Sequence, residues 1–384
     1  MKKKNIPFGR PVINNKEIEA VKKVLKSGVY VHGNQSLEFE KQFKNFTKAK
    51  YAVSVSSCTA GMHLLYFSLG IGYGDEVIVP AQTHVATAHA VELAGARPIF
   101  VDCDENTGNI SIEKIETKIT KKTKAIAVVH FLGIPVKMGK IIDLAKKYKL
   151  EIIEDCALSL GAKYKKIHTG LLGTAGVFSF YPVKHITTAE GGMITTNNKI
   201  LYKKLIINKA LGINKNYSER KIPGFYDAVN LGFNYRMSEI HAAIGIEQLK
   251  KLKFFLKKRK YNFNYLNNRL KKINNIKVLM SNDLDYESSN YCLNIILENK
   301  LKNKRKLIIN FLKKNKIGFS IYYPQPVPRM SYYKKKYGFI KKNFINAINI
   351  SDSSISIPVG PHINKIELKK IIKNYCYILT KLNT

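Results

Sequence analysis

Hydrophobic residues recur along this chain with two different periods, and the alternation between them outlines a fold. Residues 16–27, KEIEAVKKVLKS, set Ile18, Val21, Val24 and Leu25 at helical spacing, and Gly28 ends the run. Leu37, Phe39, Phe43 and Phe46 repeat that spacing in a second amphipathic helix. From Tyr51 onward, short apolar runs alternate with helical stretches. The pattern predicts strands at 51–57, 76–80, 97–102, 124–130 and 150–155, with helices between them. Two more strands, 177–181 and 193–196, bracket the stretch YPVKHITTAEGG. Repeated βα units imply an α/β fold whose mostly parallel sheet carries helices on both faces.

Beyond about residue 250 the texture changes. KKLKFFLKKRKYNFNYLNNRLKK reads as a long basic connecting helix with a solvated lysine face. The pieces NYCLNIIL, KRKLIINFLKKN, SISIPV and KIELKKIIKNYCYIL alternate strand-like and helix-like patterns. The expected organisation is a large α/β domain over residues 1–250 and a smaller α+β domain over 251–384, with the N-terminal helix free to pack on the latter. GIGYGD, residues 70–75, joins a helix to a strand, the reverse order of a dinucleotide fingerprint, so it reads as a turn.

Composition adjusts this picture modestly. The chain has 384 residues, 45% of them hydrophobic, enough for a sizeable core. Its formal net charge is +38, carried mostly by lysine. Lysine, asparagine and isoleucine together are what A+T-rich codons specify. Arginine, the usual reader of phosphate forks and guanine edges, is scarce. No zinc-finger or RNP-like spacing occurs, so no dedicated nucleic-acid partner and no metal are expected. Five widely spaced cysteines without a CxxC pair suit a reducing, cytoplasmic setting rather than a disulfide framework. The start MKKKNIPFGRP lacks the apolar core of a signal peptide, and no run is long enough to span a bilayer.

Ligands of parallel sheets sit beyond the carboxyl ends of the strands. Polar residues collect at those positions: Ser57 to Thr59, Thr83 with His84, Asp155, and Ser179 with Lys184. SSCTAG (56–61) ends a strand and begins a helix, which makes either an anion site or an ordinary cap. Asp155 follows an apolar run and suits either a protonated ring nitrogen or a helix cap. Lys184 follows a buried strand, where desolvation would free an amine for nucleophilic chemistry, unless it is one more surface lysine. LGFNYRMSEIHAAIGIEQL (231–249) presents Asn234 from a loop before a helix.

Taken together these segments resemble the fold-type-I, PLP-dependent sugar aminotransferases of the DegT/DnrJ/EryC1/StrS family. The likeness runs from PFGRPVINNKEIEAVKKVLKSG through SSCTAGMH, GDEVIVPAQTHVATAHAV, GARPIFVD, IEDCALSLGA, SFYPVKHITTAEGGM and LGFNYRMSEIHAAI to YYPQPVPRMSYY and ISIPVGP. It implies that Lys184 forms the internal aldimine with pyridoxal 5'-phosphate (PLP) and that Asp155 binds the pyridinium nitrogen. Thr59, Ala60 and Ser179 would hold the phosphate. Asn234 would reach that phosphate from the partner subunit of a homodimer with shared active sites. L-glutamate would be the amine donor and a nucleotide-linked keto-sugar the acceptor. Tyr322 and Tyr323 are candidate sugar contacts, and Arg236 and Arg329 candidate carboxylate or diphosphate contacts, each equally open to a structural reading. Two positions depart from the family pattern. His84 stands where an aromatic ring usually stacks on PLP, and Leu158 stands where a Gln or His usually meets O3′ of the cofactor. His185 adjoins Lys184, and dehydratase relatives place a His in the lysine slot. Counted from SFYP, that slot belongs to Lys184, which favours amine transfer. A sugar dehydratase, a cyclitol aminotransferase and a nucleic-acid-binding regulator on the same fold remain the alternatives.

Overall fold

A computed structural model describes residues 5–214, 222 and 224–383 of the chain. Thirteen strands are described: β1 (Tyr51–Val55), β2 (Glu76–Pro80), β3 (Arg97–Val101), β4 (Thr123–Val129), β5 (Glu151–Asp155), β6 (Lys163–Tyr164) and β7 (Ile167–His168), then β8 (Ala175–Ser179), β9 (Gly192–Thr196), β10 (Ile276–Val278), β11 (Tyr286–Glu287), β12 (Leu293–Leu297) and β13 (Ser354–Ile357). Seven of them form one sheet in the order β1-β9-β8-β5-β4-β2-β3. Its pairs from β8 to β3 are parallel, and β9 runs antiparallel to both β1 and β8. The sequence pattern places β8 at 177–181. The strand lies two residues earlier, at 175–179, and Phe180 just beyond it packs on Phe39 and Phe43.

Side-chain alternation sorts each strand's residues between the two faces. Val53, Val55, Val77, Val79, Ala125, Ala127, Ile153 and Val177 share one core with the helices Cys58–Ser68, Val85–Leu93 and Lys199–Asn208. On the other face, Ile78, Ile126, Val128 and Ile152 pack on the helix Met138–Tyr148, and Ala52, Phe178 and Met193 pack on the helices Asn34–Thr47 and Glu239–Leu270. A second, three-stranded sheet, β10-β12-β13, has its own core with the helices Arg305–Lys314 and Lys365–Asn383.

The helix Glu239–Leu270 runs through residue 250 without a break. Ala242 to Phe255 bury it against the large sheet, and Phe263, Leu266 and Leu270 bury it in the smaller core. Ile6 also sits in the smaller core, paired with Ile317. The first helix, Asn15–Ser27, packs instead on Glu239–Leu270 and buries only part of its apolar stripe. Val24 is buried, whereas Ile18 and Leu25 are 56% and 51% exposed.

β5 ends in two buried carboxylates that the pleat sends to opposite faces. Glu154 accepts the backbone N–H groups of Gly170 (2.7 Å), Leu172 (2.8 Å) and Gly173 (2.7 Å). His130 Nε2 lies 2.9 Å from the same carboxylate, while its Nδ1 accepts from Val136 N–H at 3.0 Å. That second bond fixes the tautomer: Nε2 carries the proton given to Glu154. Beside them, β8 passes so close to the 170 turn that a Cβ on Gly176 would lie 2.2 Å from Gly170 Cα. Glu154→Ala therefore strands three backbone donors and an imidazole in a buried interior. The expected loss is about 3–5 kcal/mol, read as a lowered midpoint in urea unfolding. A surface substitution such as Lys22→Ala is the control and should leave the midpoint unmoved.

Candidate active site

The carboxyl ends of β1, β2, β5 and β8 lie along one edge of the sheet, and each leads to a candidate side chain there. Asp155 closes β5 on the face opposite Glu154 and is 6% exposed. Its Oδ2 accepts from Thr87 Oγ1 at 2.8 Å and its Oδ1 from Ala157 N–H at 3.0 Å. Thr87 is in turn 2.7 Å from Thr83, so the donor order runs Thr83 to Thr87 to Asp155. No cation lies within ion-pair distance of Asp155 among the described residues. A buried carboxylate with two neutral donors keeps room for one cationic acid.

Lys184 sits in the turn after β8, its N–H bonded to Tyr181 O at 2.9 Å. Its amine makes no hydrogen bond and no ion pair with any described residue. The nearest ring is Tyr291, whose centroid is 5.6 Å from Nζ. Desolvation lowers the pKa of this amine, with Cys58 and Asp155 acting in the opposite sense. The result is a lysine more easily deprotonated than its many surface counterparts, as a nucleophilic amine requires. His185 points elsewhere. It is buried, its Nε2 lies 3.3 Å from Ser289 O, and burial and then Arg259 push its pKa well down, so the ring is neutral.

The helix Cys58–Ser68 begins where β1 ends, with its N-terminus at the same edge. Ser57 caps it by accepting from Ala60 N–H at 3.0 Å, so of the two backbone donors predicted here Ala60 is already engaged, whereas Thr59 N–H has no protein acceptor. β9 passes directly beneath: a Cβ on Gly192 would lie 2.7 Å from Cys58 N. Ser179 Oγ ends β8 and accepts only a long 3.4 Å contact from Tyr181 N–H. Helix terminus, Thr59 and Ser179 together offer polar hydrogens and a dipole to an anion.

His84 caps the helix Val85–Leu93, accepting from Ala86 N–H through Nδ1 at 3.2 Å. Its pKa is lowered, first by desolvation and then by Lys184. The ring stands edge-on to Tyr323, with centroids 5.4 Å apart. Tyr323 is held between His84, Phe131 and Tyr322, and burial pushes its pKa well up, so it stays a phenol. Tyr322 bonds Tyr291 through its hydroxyl at 2.7 Å and accepts Gln82 through its carbonyl at 3.0 Å. Leu158 is buried in the core, and its carbonyl, not its side chain, is engaged by Ser289.

Three other sequence candidates lie apart from Lys184. Asn234 is exposed, and the stacked Phe233 and Tyr235 on either side pack inward on His63. Arg236 lines a separate small cavity with Ser36, Glu40 and Lys209, its Nε without a partner. Arg329 gives its guanidinium fork to Asp352 at 2.9 and 2.6 Å. Sequence reasoning missed Thr87, Tyr291 and Arg259. Thr87 had a signal, a hydroxyl one helical turn after Thr83. Tyr291 and Arg259 arrive from distant segments and had none. The buried trio His130, Glu154 and Cys156 has metal-ligand chemistry. Both nitrogens of His130 and both oxygens of Glu154 are already bonded to protein, so it reads as a structural knot.

A carboxylate without a cationic partner, a desolvated amine and a helix N-terminus along one sheet edge fit the ring nitrogen, aldehyde and phosphate of PLP. Comparison with known proteins agrees. The model of the DegT/DnrJ/EryC1/StrS aminotransferase family matches residues 11–375. GDP-perosamine synthase of Escherichia coli O157:H7 is 42% identical over 260 residues, 67% of this chain and 69% of that protein. The UDP-4-amino-4-deoxy-L-arabinose–oxoglutarate aminotransferase of Shewanella sediminis is 33% identical over 374 residues, 96% of each chain. The putative sugar aminotransferase Spr1654 of Streptococcus pneumoniae, solved in its PMP form, superposes with a TM-score of 0.93 at 29% identity, covering 98% of this chain and 100% of that one. Its PLP form superposes with a TM-score of 0.92. This chain belongs to the DegT/DnrJ/EryC1/StrS aminotransferase family and is a PLP-dependent aminotransferase.

Proposed function

We propose that this enzyme transfers the amino group of L-glutamate to a keto-sugar carried on a nucleotide diphosphate, in the biosynthesis of an amino sugar. The observation that carries the reading is the presence of a Lys184 amine without a hydrogen-bond partner and an Asp155 carboxylate without a cationic partner, one just after β8 and the other at the end of the adjacent parallel strand β5. The donor and acceptor classes draw support from the relatives, one named for oxoglutarate and a UDP-sugar, another for a GDP-sugar.

PLP, when bound, supplies the electron sink on which amine transfer runs. The chain supplies position and proton transfer. Asp155, oriented by Thr87 and Ala157, holds the ring nitrogen protonated. Thr59 and Ser179 would anchor the phosphate, and Ala60, whose N–H is given to Ser57, would join only by sharing that hydrogen. Lys184 would hold the cofactor through Nζ, and the same amine would serve as the base and acid that moves the substrate proton. His84, pinned by accepting from Ala86 N–H, would cover the ring face. Tyr322 and Tyr323 wall the sugar side, and Leu158 leaves the O3′ contact to another group. The position of His185, turned to Ser289, favours amine transfer over dehydration.

Asn234 is exposed, which suits a phosphate contact in a partner's site. Leu25, Val29, Tyr30, Val31 and Leu37 form an exposed apolar set, and Phe225, Val229 and Leu231 add to it near Asn234 in sequence. A homodimer would cover such surfaces. The substituted proteins test the sharing directly. Lys184→Ala alone and Asn234→Ala alone should each be poorly active, and refolding the two together should restore activity, because the mixed dimer contains one intact site. Two inactive proteins that stay inactive after mixing would contradict shared sites.

Lys184→Ala should keep PLP noncovalently yet lose at least about 10²–10⁴-fold in turnover, the usual worth of acid–base catalysis. Borohydride reduction of the wild type should tag Lys184, and a tag on another lysine would overturn the assignment. L-glutamate should bleach the visible band with release of 2-oxoglutarate. Addition of a nucleotide-linked keto-sugar should restore it, which a free keto-sugar should not do.

His84→Phe keeps a ring over the cofactor and should preserve binding and much of the activity, whereas His84→Ala should lose both. Equal damage in the two would assign His84 to a role through its nitrogens.

A further inference from the structure

Arg259 is the most unusual cation of the described chain. It is 5% exposed, yet no carboxylate pairs with it. Burying a cation without a counter-ion costs several kcal/mol, so its contacts must be specific to be worth keeping. Nη1 donates to Tyr291 O at 2.7 Å, Nη2 reaches Lys184 O at 3.4 Å, and Nε has no partner. The guanidinium also faces the Tyr291 ring at 5.7 Å, and Lys184 Nζ faces the same ring at 5.6 Å. One planar fork thus touches the backbone of the amine-bearing residue and the aromatic floor beside its side chain.

The chain of contacts continues outward. Tyr291 bonds Tyr322 at 2.7 Å, and Tyr322 O accepts Gln82, two residues before His84. Gln82 accepts Ser351 Oγ at 3.0 Å. Arg259 comes from the long helix that is buried in both cores, Tyr291 from the segment entering β12, and Tyr322 from the strap before Val327. A residue on the connecting helix therefore sets the Lys184 turn against groups from the C-terminal part of the chain.

We propose that Arg259 is a positioning residue for Lys184: its fork fixes the Lys184 carbonyl and the Tyr291 ring so that the amine meets the cofactor at one angle. This rests on Lys184 being the attachment point. Lysine at 259 keeps the charge but offers no fork, and methionine keeps roughly the volume but no donor.

The experiment uses apoenzyme of wild type, Arg259→Lys and Arg259→Met. Three readouts are taken: the rate of covalent PLP capture, the visible circular dichroism of the bound cofactor, and kcat and KM separately. Both variants should capture PLP about 10–100-fold more slowly, as misplacement of a reacting group by roughly an ångström costs. Their visible dichroism should change, and kcat should fall with KM for the amine donor little altered. A folded variant with wild-type capture and dichroism overturns the proposal. If Arg259→Met does not fold, Arg259→Lys decides; failure of both to fold assigns the arginine to stability alone and also overturns it. Borohydride tagging separates the two levels. A tag on another lysine refutes the role of Lys184, whereas a tag on Lys184 with unchanged capture refutes only that of Arg259.

Discussion

The pleat at the end of β5 governs this molecule. Two consecutive carboxylates, Glu154 and Asp155, are buried where burial is costly, and alternation sends them to opposite faces of the sheet. Glu154 is fully satisfied by three backbone N–H groups and His130, and so fixes the 170–173 turn that leads into β8. Asp155 is only partly satisfied. Its two neutral donors orient it without neutralising it, which leaves its charge for a ligand. A one-residue slip of β5 would exchange the two roles and place the free carboxylate in the structural knot. The same strand thus sets the register of β8 next to it, and through β8 the position of Ser179 and Lys184.

A second constraint is proximity. β9 approaches the start of the helix Cys58–Ser68 so closely that only a glycine fits at 192. That approach brings the antiparallel strand under the helix N-terminus and sets the anion end of the site against β8. The site is therefore built by a strand end, a helix start and a close strand crossing, all on the rigid sheet. The parts that touch it from outside, His84 through its cap and the Tyr291–Tyr322–Tyr323 group through ring contacts, are held by longer chains of weaker contacts.

The sheet and the helices on both its faces were legible in the sequence because burial on two faces leaves short apolar runs. Asp155, Lys184 and the SSCTAG start were legible because each sits where a run ends. The antiparallel sense of β9 was not, since direction depends on which neighbours a strand finds and not on its own residues. The continuity of Glu239–Leu270 was hidden for a related reason. Its first half is apolar and small, and its second half basic, because the two halves meet different surroundings. Ile18 and Leu25 follow a helical period that a single chain does not bury, so periodicity alone could not say what covers them. Arg259 looked like one basic residue among many in KKRK, and only the fold shows that it alone of that run turns inward.

That last contrast bears on how a chain with a net charge of +38 makes one amine reactive. Most lysines here gain their character from water or from a neighbouring carboxylate, as Lys147 does from Glu116, which raises its pKa. Lys184 has no carboxylate in contact and is shifted the other way by desolvation. A carboxylate placed in contact would have kept it protonated and spoiled it as a nucleophile. Asp155 is near enough to act on the charge of Lys184 but not to bind it, and the gap between them is what a cofactor with a basic nitrogen at one end and an aldehyde at the other can bridge. On the proposed reading, this pair of groups, and not the charge of the chain, is what the ligand answers to.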